Sequence, residues 1–173
     1  MRKMALLAAF VVLPVLTLWG EDPIVQWREV VGIIQAGNIV GSGTGAVAGG
    51  MLPWVTTGGS ARVNLDTGEI QFLVKGLVLA GGNPIGTRAD ITAVKGTLVC
   101  DTNGSAGGGN STLVQTAAVS LSLDGDAHFS GNVGSLPTVC SSEPDLAFLV
   151  RIAEVNGTAV NGPWIAFGAV REN

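Results

Sequence analysis

Residues 60–79 read SARVNLDTGEIQFLVKGLVL, and their apolar side chains recur at every second position. Ala61, Val63 and Leu65 alternate with Arg62, Asn64 and Asp66, and Ile70, Phe72 and Val74 alternate with Gln71, Leu73 and Lys75. A period of two places one set on a single face of an extended strand, whereas a helix would need 3.6. Asp66-Thr67-Gly68 between the runs supplies a turn, with a glycine free to take positive φ. After Gly76 the apolar parity switches to Leu77 and Leu79, which predicts a β-bulge at that glycine.

The same signal recurs along the chain. Trp27–Ile34 reads as a first strand, and Arg88–Cys100 as another, with Gly96 as a second candidate bulge. In Leu113–Leu123, the side chains of Val119, Leu121 and Leu123 share a face, and Asp124-Gly125 then predicts a hairpin that returns Ala127, Phe129 and Val133 to the inside. Leu146–Val155 and Trp164–Val170 close the series. The stretch 101–110, DTNGSAGGGN, reads as a flexible Gly-rich loop. GSGTGAVAGG at 41–50 has phosphate-loop composition, but no helical period follows and Pro53 intervenes, so it reads as a loop or a small-residue strand. Strands spaced by glycine turns predict an all-β fold: an antiparallel β-sandwich of about seven to nine strands, with a β-barrel as the alternative.

The chain is too apolar for disorder, with 47% hydrophobic residues against 13% charged. Arg2 and Lys3 followed by the apolar stretch Ala5–Leu18 read as a secretory signal over residues 1–20, leaving 21–173 as one domain. An uncleaved anchor is the alternative; the stretch is short for a bilayer span. The expected destination is the extracellular space or cell envelope, without membrane insertion of the mature chain. Without Arg2 and Lys3, seven Lys and Arg remain against 13 acids, a balance of −6. Such a chain gains no electrostatic attraction to nucleic acid or anionic headgroups. Cys100 and Cys140 are the only cysteines, and in an exported chain the pair predicts a disulfide worth about 4 kcal/mol in the chain-entropy account. A metal or redox pair is the alternative, without CxxC spacing to support it.

Chemistry-bearing residues are sparse. DGDAH at 124–128 combines Asp124 and Asp126 with His128, the single histidine, and these types suit Zn²⁺ or Cu²⁺. The turn already accounts for the Asp-Gly pair, and Ala127 and Phe129 claim the inner face, so His128 is expected on the solvent side. No GxSxG occurs, so no catalytic, cofactor or metal-ligating set is assigned. Trp27, Trp54 and Trp164 are expected in the core; the alternative is an aromatic platform for a sugar ring. Asn103, Asn110 and Asn156 lie in N-x-S/T sequons and mark surface loops.

Residues 59–79 resemble the CHRD domain, named from chordin and found in many secreted bacterial proteins: a strand, a D-x-G turn, and a strand ending in GL. That family's His pair has no counterpart, since ADITAVKG stands at its place. VKGTLVC, GDAHFSG, LPTVC, AFLVRIA and WIAFGAVR are similar to uncharacterised secreted bacterial proteins of CHRD-like aspect. The resemblance implies an exported β-sandwich and no particular activity. The expected function is a non-enzymatic binding or structural domain with a protein or glycan partner. A carbohydrate-binding module and a carboxylate-based hydrolase are the alternatives.

Overall fold

The computed structural model describes residues 24–142 and 145–172. The expected signal segment lies outside them. The strands in chain order are β1 (Ile24–Gly32), β2 (Ile39–Val40), β3 (Val47–Ala48), β4 (Trp54–Val55), β5 (Gly58–Asn64), β6 (Glu69–Lys75), β7 (Val78–Leu79), β8 (Ile91–Cys100), β9 (Thr112–Gln115), β10 (Val119–Ser120) and β11 (Ala127–Asn132). A short helix α1 (Thr138–Ser142) precedes β12 (Leu146–Val155), β13 (Thr158–Ala159) and β14 (Trp164–Glu172). The fold is all-β and antiparallel, as the alternation predicts. Eight of these strands have four or more residues; the others are two-residue pieces, too short to leave a periodic signal.

The main sheet runs β10-β8-β12-β14-β1-β5-β6-β11, with β9 added to β8 and β13 to β12. Phe72 on β6 and Phe148 on β12 stand four strands apart in this order, roughly 19 Å if the sheet were flat at ~4.8 Å per strand. Their rings are 5.7 Å apart. The sheet therefore curls until its halves face each other, so one continuous sheet supplies both layers. Trp27 on β1 completes the contact, 5.6 Å from Phe148.

The inner faces are those the alternation marks: Ala61, Val63, Ile70, Phe72, Val74, Leu121 and Ala127 are all buried. Leu123 is an exception, exposed in the turn after β10. The hairpin expected at Asp124-Gly125 is also revised. β10 pairs with β8 and β11 with β6, so this turn joins the two ends of the curled sheet. Gly125 anchors the turn to the chain leaving β6, its carbonyl accepting from Leu77 N–H at 2.8 Å.

Neither glycine expected to bulge does so within a ladder. Gly76, at φ +60°, ends β6 and turns the chain toward β7. Gly96 sits in regular register opposite Val150. A Cβ on Gly96 would lie 2.8 Å from Phe148 Cζ and 3.0 Å from Phe72 Cε1, so its bareness makes room for the two rings. A parity change falls instead in β1, where Trp27 and Val30 are both buried and Arg28 and Glu29 are both exposed, and the registers of β12 shift at Val150/Arg151 and around Glu154. Beside β1 on β14, Val170 adopts φ +52°, a left-handed conformation unusual for a β-branched residue.

The outer faces of the two halves differ. On β5, β6 and β11, outward residues such as Arg62, Gln71 and His128 meet solvent. On β8 and β12, the outward Thr97, Val99 and Leu149 are fully buried. The segment 37–50 shields this side: β2 pairs with β3 across a 3₁₀ turn at Gly43–Gly45, and Gly50 N–H donates to the Trp164 carbonyl at 2.8 Å. Ser42 N–H binds Ser111 Oγ at 2.7 Å, fastening the ribbon to the loop before β9. The glycine-rich stretch is thus a small-residue ribbon.

Two outcomes follow for stability. Gly96→Ala should cost about 1–3 kcal/mol in urea unfolding through overpacking, and Phe148→Leu in that background should recover part of the loss. An unchanged midpoint for Gly96→Ala would contradict the packing role. Val170→Gly should raise stability by up to about 1 kcal/mol, since relief of the left-handed strain exceeds the entropy cost of glycine. A lowered melting temperature would refute it.

Candidate functional site

The three described tryptophans are buried. Trp27 lies in the aromatic interior, Trp54 pairs with Leu79 between β4 and β7, and Trp164 packs edge-on to Phe167 with ring centroids 5.8 Å apart. A sugar ring has no exposed indole face to stack on at these positions.

The DGDAH residues diverge. Asp124 is exposed in the turn. Asp126 Oδ1 accepts from Gly76 N–H at 2.9 Å, so this carboxylate extends the contact between β11 and β6 just past the end of their ladder. His128 stands on the outer face of β11, opposite Leu73. Among the described residues, no three His, Cys, Asp or Glu side chains cluster as a metal-binding group. Other carboxylates serve loops and strands: Asp145 binds Asn103, Glu172 pairs with Arg28, and Glu69 Oε1 accepts from Gln71 Nε2 at 2.7 Å.

Cys100 and Cys140 form the disulfide, both fully buried, with Cα atoms 4.9 Å apart. The bond joins the end of β8 to α1. The next residue, Asp101, organises the Gly-rich loop. Its buried carboxylate accepts from Gly107 N–H at 2.6 Å, Ala106 N–H at 3.0 Å and Ser105 Oγ at 3.3 Å. The loop expected to be flexible thus wraps around an internal acceptor. Of the sequon asparagines, Asn103 and Asn156 are exposed, while Asn110 is half-buried and its Oδ1 accepts from Thr44 N–H at 2.8 Å.

Two surfaces assemble side chains that could meet a ligand. The first is polar. Register places Glu172, Gln26, Arg62, Gln71 and Ser130 in one row across β14, β1, β5, β6 and β11. A shallow depression of about 280 Å³ opens beside it, lined by Gln26, Arg62, Gln71 and His128 among others.

The second surface is apolar. Two adjoining depressions of about 370 and 250 Å³ share Asn38, Trp164 and Phe167. One continues past Val31, Ile33 and Ile34, the other past Ile39, Val40 and Leu149. No charged residue lines either. Ile34 and Ile39 project at the rim, 84% and 68% exposed. Sequence reasoning did not single out this groove. Its one trace was the consecutive apolar run Trp164-Ile165-Ala166-Phe167, which signals a strand covered on both faces.

Comparison with family models, with curated proteins and with solved structures finds no match.

The divergence of Asp126 and His128 is measurable. Asp126→Ala should cost about 1 kcal/mol through the lost Gly76 hydrogen bond, while Asp126→Asn, which keeps an acceptor oxygen, should retain most of it. His128→Ala should stay within about 0.5 kcal/mol of wild type. Equal losses at Asp126 and His128 in parallel thermal melts would count against this division.

Proposed function

We propose that this chain is an exported, non-enzymatic binding domain, and that it takes an apolar segment of a partner protein into the groove floored by Trp164. The groove's lining carries the reading. It is apolar, uncharged and open, and exposed Ile34, Ile39 and Phe167 stand around it. Contiguous exposed apolar surface of this kind marks interaction sites on soluble proteins. Asn38 and Gln35 are the polar lining side chains, so an occupant of matching chemistry brings aliphatic or aromatic groups and no charge.

Export is supported by the signal-like composition of residues 1–20 and by the disulfide, which persists in oxidising compartments. No helix among the described residues is long and apolar enough to cross a membrane. The CHRD-like pattern of residues 59–79 agrees with a secreted β domain.

A second reading, glycan recognition, is favoured by the polar row. Gln26, Arg62, Gln71 and Ser130 offer a flat array of hydrogen-bonding groups on neighbouring strands.

Peptides selected from a random display library against the immobilised protein separate the two. The groove reading expects aromatic-aliphatic, uncharged sequences, with Ile39→Asp and Phe167→Asp weakening them at least about tenfold and Arg62→Ala leaving them unchanged. Circular dichroism confirms that each variant is folded. Selected sequences whose binding depends on Arg62 and not on Ile39 would overturn the groove; glycan-array binding lost in Arg62→Ala would put the polar face in its place.

A further inference from the structure

Lys95 on β8 and Arg151 on β12 are direct register partners on the outer face of the sheet. Like charges opposite each other on antiparallel strands repel. Arg151 is 5% exposed, so its charge is also largely removed from water. Among the described residues, no ion pair is seen for either side chain.

A single neutral atom takes up both charges. Asn161 Oδ1 accepts from Lys95 Nζ at 3.2 Å and from Arg151 Nη2 at 3.0 Å. Arg151 Nε and Nη2 donate further to the Gly162 carbonyl at 3.0 and 2.8 Å. Arg151 Nη1 is buried without a partner. Two more buried polar atoms lack partners nearby in the register: Thr97 Oγ1, two residues from Lys95 on the same strand, and Trp164 Nε1, on the residue opposite Arg151. The patch is rich in donors and short of acceptors. Burial first, then the Arg151 charge, push the Lys95 ammonium below its ordinary value, and burial does the same to Arg151.

We propose that Lys95 and Arg151 form a carboxylate-binding site, with the exposed Asn161 amide holding the position of one carboxylate oxygen until a ligand displaces it. One oxygen of the incoming group accepts from Lys95 Nζ and Arg151 Nη2, as Asn161 Oδ1 does now. The second reaches Nη1, and the two parallel N–H···O bonds make the bidentate fork that guanidinium offers a planar carboxylate. The ligand class is a small carboxylate, free or carried on a larger molecule.

The test uses the folded chain, with sodium acetate as the free probe and sodium chloride at equal ionic strength as reference. Acetate should raise the melting temperature by a few degrees once it exceeds its Kd about tenfold, and chloride should not. Asn161→Ala, which removes the competing amide oxygen, should lower the acetate concentration needed. Asn161→Asp, which supplies the carboxylate within the chain, should raise the melting temperature without acetate and abolish the response. Lys95→Gln should weaken the response several-fold while keeping the wild-type circular dichroism. Equal effects of acetate and chloride on both wild type and Asn161→Ala would overturn the site. So would an Asn161→Asp variant less stable than wild type. A response to sulfate or phosphate in place of acetate would overturn the carboxylate assignment.

Discussion

The contact between Phe72 and Phe148 is the constraint on which this architecture rests. It joins strands four places apart in one sheet, and it exists because the sheet coils back on itself. Twist supplies the tendency, but burial of large aromatic surface supplies the drive. Gly96 removes the one side chain that would hold the rings apart. Once the halves meet, the short turn between β10 and β11 spans the two ends of the sheet, and Gly125 and Asp126 anchor that turn to Leu77 and Gly76 beyond β6. The remaining open sides are β11 on one end and β9 with β10 on the other.

Curling creates an outside as well as an inside, and the two outsides take different solutions. In β6 and the second half of β5 the burial alternates with a period of two, and the outer face is solvated. β8 and β12 are nearly continuous in buried residues, and the ribbon of β2 and β3 shields them. The ribbon's small residues let its backbone come close: a Cβ on Gly45 would lie 1.9 Å from the Ser111 carbonyl oxygen. Where this shielding thins, between Asn38 and Phe167, the apolar groove opens.

Alternation along single strands was legible in the sequence, because a half-buried strand writes its burial directly into residue order. β5 ends and β6 begins within a few residues of the expected turn, and the two cysteines bond to each other as expected. What was not legible was whatever depends on a partner distant in sequence. The Asp124-Gly125 turn has hairpin chemistry, yet the strands beside it pair elsewhere, because local turn preference does not choose ladder partners. Gly96 carries the composition of a bulge and the role of a packing gap, and only the rings opposite it distinguish the two. The loop 101–110 has the composition of a mobile linker, but a buried aspartate gives its backbone N–H groups an internal acceptor. For the candidate surfaces, the one visible trace was misfit: an arginine inside AFLVRIA and an unbroken apolar run in β14.

That misfit is concentrated. Of the four buried side-chain atoms without partners among the described residues, three belong to Thr97, Arg151 and Trp164, in neighbouring positions of β8, β12 and β14. Each buried donor left unmatched costs about 1–3 kcal/mol relative to a satisfied one, and a charged donor costs more. An apolar residue at position 151 would avoid that cost and suit a strand whose neighbours on both sides, Val150 and Ile152, are aliphatic. Trp164 connects this region to the groove: it is the floor of the one and the register partner of Arg151 in the other. Local rules in folded chains are broken most often where a site requires it. Here the breaches fall on the covered face of β8, β12 and β14, the face that also leaves its apolar groove open. The polar face of β5 and β6 has a depression of its own but contributes none of the four unpartnered atoms, so the unmatched donors gather on the side that holds the apolar groove.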